Sequence, residues 1–579
     1  MTTRHGAASR RVLIIGLDGA TFDLLDPLMD AGLLPTIASL ARQGIRAPLR
    51  STMPYVTAPA WTSLVTGKKP ETHGVYDWTR QDPRSYRRRL WRGPMIPHAP
   101  FWEILMARGI PAGAVNVPMS HPIPPEAAAF SIGDMFTPPS ARRWAHPPEL
   151  QRRLHGIGYR RDVAIRDYAD RGLAPFVSAL VGMIERRCDA LGFCLRRYPW
   201  RAAIAVFVAP DRIQHAYWHV LASGEARTPD FEQALRVFVA IDRAIERIRA
   251  ALGEEDHLYL VSDHGFGIHK QTFYINQWLE EQGYLRFHPP RRWRGAAARI
   301  VSRAQAEIGH FVIDRVKAGD RGRRRWEAIQ RGIGGRLGSP LVPGGRAVDW
   351  RRTHAFADTP HGVRLNLRGR EPCGIIPKRD YDAWVRRLCV ELGDLAHPET
   401  GAKLYRRVEP REWRYAGPAL EGAPDVVYTF ADEGTTWRIG DRRAASQGRT
   451  HPRGTGVEPS HPPLTDAVGA ERGTHRSDGI LIAAGPDLRQ GALRQPCALW
   501  DVIPTLFYHL DEGIPPDMDG TVLVDAFKPS VLRERPEKRA PALGRRSAAS
   551  NSGPEQSPPW TADDERAVED HLRALGYLA

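Results

Sequence analysis

Short, continuous apolar runs recur along the chain and alternate with longer stretches in which apolar residues have helical spacing. Strands buried on both faces contain unbroken apolar runs, so these runs predict strands of a mostly parallel sheet. The alternation of strand and helix then predicts an α/β fold, a doubly wound sheet flanked by helices. The predicted strands span residues 11–17, 112–117, 202–209, 257–262 and 479–485, and the main predicted helices span residues 22–41, 101–108, 176–197, 231–252 and 500–510.

The pattern changes after the fourth strand, where arginines dominate and Trp293 and Trp326 lie between them. We interpret this stretch as a basic helical insert or cap on the main sheet. Near the C-terminus, a segment rich in Pro, Ser and charged residues precedes an amphipathic helix with an acidic first turn. The predicted organisation is a catalytic domain at residues 11–288 and 349–528, the insert at 289–348, a disordered linker at 529–560 and a C-terminal helix at 561–579.

The composition indicates a globular protein with a basic balance. Hydrophobic residues make up 42% of the 579 residues, which indicates a folded rather than a disordered chain. Lys and Arg outnumber Asp and Glu by 82 to 66, giving a net charge of +16 that suits an anionic substrate, a nucleic acid or a membrane surface. No RRM, KH, helix-turn-helix or zinc-finger pattern occurs, so we expect a small-molecule substrate rather than a nucleic acid.

The cysteines and the N-terminal run bear on the compartment. The five cysteines are scattered and form no CxxC pair, which predicts reduced thiols in a reducing compartment. The first apolar run is too short for a signal peptide, and no run reaches the ~20 residues that a membrane-spanning helix needs. We therefore predict a cytoplasmic protein without a membrane span, and the sequence leaves its oligomeric state open.

Acidic residues and histidines follow three of the predicted strands. Asp18 ends the first strand, and Asp263 and His264 end the fourth. Asp211 follows the third strand, and His215 lies four residues later, on the same face of a helical turn. Each residue alone could be a cap, a turn residue or a core histidine. Because parallel strand ends collect at one edge of a sheet, we expect the carboxylates to meet there, where Asp and His suit zinc or a similar cation.

Thr57 lies at the start of an apolar helix that has Pro59 in its first turn. Its hydroxyl has two interpretations. It could cap the helix, as a Thr at this position usually does. It could also be a nucleophile at the positive end of the helix, where a phosphate group would bind. The local sequence leaves both open, and only metal ligands elsewhere in the chain can decide between them.

Several motifs occur in a fixed order over most of the chain: IIGLDGA, VTAPAWTSLVTGKKPETHGV, DRIQHAYW, SDHGF, GTHRSDGILI and a closing MDG segment. In these motifs the chain resembles the alkaline phosphatase superfamily, and within it the type I phosphodiesterase/nucleotide pyrophosphatase branch. The resemblance implies an alkaline-phosphatase-like sheet and two divalent metal ions, commonly zinc, with manganese as the alternative. It also implies their ligands, which would be Asp211, His215 and His475 for one ion and Asp18, Asp263, His264 and the Thr57 oxygen for the other.

The resemblance further implies that Thr57 attacks phosphorus and forms a phospho-threonine intermediate, which water then hydrolyses. The predicted function is a metal-dependent phosphohydrolase that cleaves phosphodiester, nucleotide pyrophosphate or phosphomonoester bonds. Two alternatives stay open: a phosphomutase, and a non-catalytic superfamily member that binds anions or nucleic acid.

The chain departs from the branch around the Thr57 segment. The nucleotide pyrophosphatases of the branch carry an Asn just after the HGV element, where this chain has Asp77 and Trp78. Their FPNH sequence after the nucleophile is here Ala58-Pro59-Ala60-Trp61. Nucleotide-diester specificity is therefore not carried over, and Trp78 is the candidate substrate-binding residue at this position.

Overall fold

A computed structural model describes most of the chain, and the structural statements below concern these residues. They are residues 10–82, 85–164, 168, 171–222, 228–288, 347–359, 361–396, 401–438, 457–459, 473–541 and 560–575. The strands are β1 (Val12–Leu17), β2 (Ile45–Arg50), β3 (Thr79–Gln81), β4 (Arg88–Leu90), β5 (Ala112–Val115), β6 (Phe130–Ile132), β7 (Ala145–His146), β8 (Ala202–Phe207), β9 (His257–Val261), β10 (Gly265–Ile268), β11 (Gln271–Tyr274), β12 (Ala355–Thr359), β13 (Gly362–Leu365), β14 (Tyr405–Pro410), β15 (Val426–Phe430), β16 (Thr435–Arg438), β17 (Val457–Pro459), β18 (Gly473–Arg476), β19 (Asp478–Ala484), β20 (Gly491–Ala492) and β21 (Cys497–Ala498).

The α-helices of the described residues connect and cover these strands. They are α1 (Phe22–Asp30), α2 (Pro35–Gln43), α3 (Thr57–Thr66), α4 (Pro70–His73), α5 (Phe101–Ala107), α6 (Pro148–Gly156), α7 (Leu173–Arg197), α8 (Ala209–Leu221), α9 (Pro229–Arg249), α10 (Ile275–Glu281), α11 (Tyr381–Gly393), α12 (Arg411–Arg414), α13 (Val502–His509), α14 (Pro529–Glu534) and α15 (Ala562–Ala574).

One large sheet of ten strands has β1 near its centre. Its order is β20-β2-β19-β9-β1-β8-β5-β6-β7, with β21 paired to β2. The central strands β9, β1, β8 and β5 are parallel, whereas β19 is antiparallel to both β9 and β2. Every residue of β1 and β8 is buried, as the unbroken apolar runs require. The predicted α/β class with a mostly parallel sheet flanked by helices is confirmed.

A smaller antiparallel sheet in the order β12-β13-β15-β14 has a core of its own. It packs with α10 and α11 around a separate hydrophobic cluster that includes Phe356, Leu388 and Tyr428. The sequence interpretation treated residues 349–528 as one part of the catalytic domain. Within this range, strands β12 to β15 form the smaller sheet and β19 lies in the main sheet. An apolar pattern predicts a strand but not the sheet that the strand joins.

The predicted insert and linker have different outcomes. The insert at 289–348 lies outside the described residues except for its last two. The linker predicted at 529–560 is not disordered where it begins, because α14 occupies its start and Arg535 forms an ion pair with Asp487. The rest of the linker from residue 542 to 559 lies outside the described residues.

The C-terminal helix α15 packs onto the main domain. Its N-cap residue is Thr561, whose hydroxyl accepts a hydrogen bond from the Asp564 amide in a capping box. Val568, Leu572 and Leu575 on its apolar face are buried in the main hydrophobic core. The helix therefore contributes to the core of the main domain.

Two helices bear on the question of a membrane span. Among the residues that the structure describes, no single helix is long and apolar enough to cross a membrane. Helices α1 and α2 satisfy the length and composition criteria only as a pair, and they are bent by 103°.

Candidate active site

The carboxyl ends of three neighbouring strands bring the predicted carboxylates together. Asp18 follows β1, Asp263 follows β9, and Asp211 lies in the first turn of α8, directly after β8. Since β1 pairs in parallel with both β8 and β9, the three carboxylates collect at one edge of the main sheet. All three side chains are fully buried.

A short two-stranded sheet brings His475 to the same edge. Strand β10 begins one residue after His264 and pairs antiparallel with β18, so that Phe266 lies opposite His475. The His264 and His475 rings stack at 3.6 Å between centroids. A distant part of the sequence thereby reaches the ends of the parallel strands, and this pairing could not be read from the local pattern around His475.

The predicted ligands lie within contact distance of one another. Asp211 Oδ1 is 3.2 Å from His215 Nε2 and 3.3 Å from His475 Nε2. His264 Nε2 lies 3.2 Å from Asp263 Oδ2 and 3.7 Å from an oxygen of Asp18. His264 also belongs to a group with Asp211 and His475 that could hold a cation. The two ligand sets implied by the resemblance are thus contiguous, with His264 between them.

Backbone carbonyls orient all three imidazoles. Nδ1 of His215 lies 3.1 Å from the Gly473 carbonyl, Nδ1 of His264 lies 3.1 Å from the Gly265 carbonyl, and Nδ1 of His475 lies 3.2 Å from the Tyr55 carbonyl. A carbonyl oxygen only accepts, so Nδ1 must carry the proton in each ring. The lone pair of each ring is therefore on Nε2, which faces the carboxylates. This is the usual arrangement of histidines that bind a metal.

Thr57 is the first residue of α3 and does not cap it. The N-cap position belongs to Val56, which has no side-chain cap, and Thr57 is fully buried. Its Oγ1 lies 3.4 Å from His264 Nε2. The capping interpretation of Thr57 is therefore wrong, and its hydroxyl lies at the site instead. The free amides of a helix N-terminus also favour an anion at this point.

The crowded carboxylates perturb one another. Burial, reinforced by the nearby Asp211 carboxylate, raises the pKa of Asp263 to about 8 despite the Gly19 amide that donates to it. Burial and the Asp263 charge raise the pKa of Asp18 well above its usual range. Burial also opposes ionisation of Asp211, but the neighbouring His215 and His475 imidazoles and the Arg212 guanidinium group hold its pKa well below the usual value.

The donor set fits divalent cations. Asp18 Oδ1 and Asp263 Oδ2 are buried oxygens that accept no hydrogen bond from the described residues. Burying such atoms and like charges is costly unless a positive charge compensates them. Carboxylate oxygens together with imidazole nitrogens are ligands that zinc and manganese accept. These side chains are therefore candidate metal ligands.

The structure places Trp78 in the main hydrophobic core. Its side chain is only 2% exposed and stacks on Phe136 at 5.2 Å. Asp77 beside it forms an ion pair with Arg88. A substrate-binding role for Trp78 stays a prediction. The sequence could not distinguish these roles, because a buried Trp and a ligand-facing Trp have the same apolar neighbours.

Sequence reasoning missed two residues that hold the carboxylates. Trp61 Nε1 donates to Asp18 Oδ2 at 3.3 Å, and Arg212 Nη1 donates to Asp211 Oδ2. Arg212 directly follows Asp211, and adjacent residues of a helix do not normally face the same way. In the sequence, the only indication of a role for Arg212 was therefore its position inside the DRIQH motif.

A further group of candidate ligands lies at the opposite edge of the main sheet. It comprises His257 at the start of β9, His509 at the end of α13 and Asp487 after β19. Arg535 binds both oxygens of Asp487, at 2.7 and 3.0 Å, and Arg10 approaches to 3.4 Å. Two guanidinium groups already compensate this carboxylate, so the group has little need of a cation.

At one edge, the mostly parallel sheet gathers three carboxylates, three imidazoles and a hydroxyl, a set that suits metal-assisted hydrolysis of phosphoric ester bonds. The chain belongs to the type I phosphodiesterase / nucleotide pyrophosphatase family, whose profile matches residues 12–332, more than half of its length. The resemblance to the type I phosphodiesterase/nucleotide pyrophosphatase branch is thereby confirmed. No curated protein matches the chain.

The similar solved structures are distant in sequence. The phosphonoacetate hydrolase of Sinorhizobium meliloti 1021, in complex with phosphonoformate, is 14% identical with a TM-score of 0.53, and the match covers 87% of this chain and 95% of that chain. Murine ectonucleotide pyrophosphatase / phosphodiesterase 5, in complex with AMP, is 14% identical with a TM-score of 0.46, and the match covers 90% of this chain and all of that chain. At such identity the first similarity establishes the fold alone.

Proposed function

We propose that this chain is a metal-dependent phosphohydrolase that cleaves phosphate esters through a phospho-threonine intermediate at Thr57. The observation that carries the proposal is the position of the Thr57 hydroxyl. It lies at the N-terminus of α3, does not cap the helix, and is 3.4 Å from His264 Nε2. A buried hydroxyl beside candidate metal ligands and a helix N-terminus suits attack on a phosphoryl group.

Two divalent ions, zinc or alternatively manganese, are part of the proposal. Asp211, His215 and His475 would hold one, and Asp18, Asp263, His264 and Thr57 Oγ1 would hold the other. When bound, such ions polarise phosphoryl oxygens and lower the pKa of hydroxyl groups and water. The carbonyls that bind each Nδ1 keep the Nε2 lone pairs directed at the site.

The chain's own residues then carry a two-step displacement. Thr57 Oγ1 loses its proton and bonds to phosphorus while the bond from phosphorus to the ester oxygen breaks, and the leaving alcohol takes up a proton. Water next attacks phosphorus, the bond to Thr57 Oγ1 breaks, and the hydroxyl is restored with inorganic phosphate or a phosphomonoester as the product. The free amides at the start of α3 would stabilise the charge on the phosphoryl oxygens.

The substrate in this proposal is a small phosphate ester, as a diester, a pyrophosphate or a monoester. A phosphomutase would share the first step and return the phosphoryl group to another hydroxyl. No feature of the described residues favours that outcome over transfer to water. A cytoplasmic location stays a prediction from the sequence.

The test is to replace Thr57 and to look for the intermediate. We expect Thr57→Ala to abolish hydrolysis of p-nitrophenyl phosphate esters, with a loss of at least ~10³-fold, because a covalent nucleophile is removed. Thr57→Ser is the matched control and should retain measurable turnover, since it keeps the hydroxyl. Acid-quenched wild-type protein should carry phosphate on Thr57, as found by mass spectrometry of the peptide.

The outcomes separate the alternatives. Near wild-type turnover in Thr57→Ala would exclude Thr57 as the nucleophile. No turnover of any mono- or diester with zinc, manganese or magnesium would favour a non-catalytic role. Transfer of the phosphoryl group to an added alcohol in preference to water would indicate a mutase.

A further inference from the structure

Arg212 links the candidate metal ligand Asp211 to a second buried carboxylate. Its side chain is fully buried on α8, and its Nη1 donates to Asp211 Oδ2. On its other side, Arg212 Nε and Nη2 donate to the two oxygens of Asp162, at 3.2 and 2.7 Å. The guanidinium group therefore connects two carboxylates that are distant in the sequence.

The contact with Arg212 decides which oxygen of Asp211 faces the site. Since Oδ2 is held by Arg212, Oδ1 is the oxygen that approaches His215 and His475, at 3.2 and 3.3 Å. A fixed carboxylate presents one defined oxygen, whereas a free one can rotate. Partners of this kind orient the ligands of metal sites and raise their affinity.

Asp162 is in turn contacted by the C-terminal helix. His571 Nε2 on α15 lies 3.4 Å from Asp162 Oδ2, and the Asp162 side chain is 2% exposed. Burial opposes ionisation of Asp162, but the Arg212 guanidinium, together with His571, holds its pKa below the usual value. The helix is fixed in this position by the buried Leu572 and by a hydrogen bond from Ser140 to Asp564.

We propose that α15 is a positioning element of the active site, acting through Asp162 and Arg212 on Asp211. The C-terminal helix holds Asp162, Asp162 holds Arg212, and Arg212 directs Asp211 Oδ1 at the two histidines. The inference rests on the proposed function, because it concerns the affinity of the Asp211 side of the site for a divalent ion. It assigns a functional role to a helix at the far end of the chain from the motifs.

The test measures zinc affinity in the full-length protein, by titrating chelator-treated protein with zinc against a chromophoric chelator at constant pH. We expect Asp162→Asn to lower the affinity about 10-fold, the lower end of the range for loss of a ligand's direct partner, because Asp162 acts on Asp211 through Arg212. His571→Ala should lower it less, roughly fivefold, since it removes one hydrogen bond at 3.4 Å. At saturating zinc, kcat should recover toward the wild-type value in both variants.

Matched controls separate positioning from folding. Arg573 lies on the same helix, and its described side-chain contacts are with Asp570 and Glu569 on the exposed side of that helix. Arg573→Gln should therefore leave zinc affinity unchanged. Arg212→Lys keeps the positive charge but loses the guanidinium group that contacts both carboxylates. Its zinc affinity should therefore be lowered about as much as that of Asp162→Asn. Wild-type affinity in both Asp162→Asn and His571→Ala, with lower thermal stability alone, would overturn the inference and leave the proposed function intact. A wild-type protein that binds no divalent metal would overturn the proposed function itself.

Discussion

Two groups of carboxylates and imidazoles lie at opposite edges of the main sheet, and they differ in how their charge is compensated. One edge is formed by the carboxyl ends of the parallel strands and is called the carboxyl edge. Here Asp18, Asp211 and Asp263 are fully buried, and the guanidinium group that contacts Asp211 is shared with another carboxylate. At the opposite edge, called the amino edge, the Asp487 carboxylate contacts two guanidinium groups, those of Arg535 and Arg10. Acidic groups are in excess at the carboxyl edge, and guanidinium groups are in excess at the amino edge.

This difference teaches that residue types alone do not define a metal site. Both groups bring His and Asp atoms within 4.8 Å of one another. A divalent cation at the carboxyl edge would compensate the Asp263 carboxylate, whose pKa is raised to about 8 by burial and by the nearby Asp211 charge. The same cation at the amino edge would be repelled by Arg535 and Arg10. We therefore interpret the amino-edge group as structural.

The largest expected effect comes from exchanging one carboxylate for an amide at each edge. Asp263→Asn should lower metal affinity by about 100-fold or more and abolish turnover, since it removes a candidate ligand rather than a partner of one. Asp487→Asn should keep metal content and turnover but lose roughly 3 kcal/mol of stability, because it leaves Arg535 buried without its counter-charge. Metal analysis of purified protein and urea denaturation measure the two effects.

The metal-free form of the same pair provides the control. Without metal, Asp263→Asn should be at least as stable as the wild type, because it removes a carboxyl group whose ionisation is opposed by burial and by the Asp211 charge. Equal loss of metal from both variants would contradict the distinction between the edges.

Removing the metal with a chelator should destabilise the protein through the carboxyl edge alone. Adding zinc or manganese back at 100 times its Kd should raise the free energy of unfolding by about 2.7 kcal/mol for a single site. The increment should persist in Asp487→Asn and shrink in Asp263→Asn, which loses a ligand of one of the two proposed ions, as followed by the thermal midpoint. An increment that Asp487→Asn abolished would place a stabilising ion at the amino edge.

The sequence predicts the carboxyl edge well because its residues follow strand ends. Asp18, Asp211 and Asp263 each come after an unbroken apolar run, and the topology of parallel strands brings such positions together. The fold class follows from the same runs. His475 could be connected to this edge only through the family resemblance, because its place depends on the pairing of β10 with β18.

The amino edge could not be predicted in this way. His257 begins an apolar strand, Asp487 follows another, and Arg535 lies in a segment whose composition indicates disorder. Their contacts depend on how α13, α14 and β9 pack, which is set by tertiary structure. Composition likewise could not show that β12, β13, β14 and β15 form a separate sheet.

The amino edge should also respond to pH. Burial, with Arg10 and Arg535 adding to it and Asp487 opposing, lowers the pKa of His257 from 6.5 to about 4. The unfolded chain therefore binds this proton below pH 6.5 while the folded chain resists it until about pH 4, so stability falls as pH falls through that window. The loss reaches roughly 3 kcal/mol for this group.

His257→Gln isolates the contribution of this one histidine, since other buried histidines titrate as well. Free energies of unfolding from urea denaturation at about pH 6.5 and about pH 4 should differ less in the variant than in the wild type, by roughly 3 kcal/mol. An identical pH dependence in the two proteins would show that His257 is protonated as readily in the folded chain as in the unfolded one.

The smallest loss of stability is expected on replacing Arg10, because its guanidinium group is more exposed than that of Arg535. The Arg10 side chain is 34% exposed and lies 3.4 Å from Asp487, whereas Arg535 is 10% exposed and makes two shorter contacts. Solvent screens the exposed pair, so Arg10→Ala should cost less than about 1 kcal/mol by urea denaturation. Arg535→Ala is the matched control and should cost roughly 3 kcal/mol, because Asp487 then loses its bidentate partner. An equal loss of stability in both variants would mean that long-range electrostatic attraction, rather than direct contact, compensates the Asp487 carboxylate. The contrast with the carboxyl edge would then depend on total charge alone.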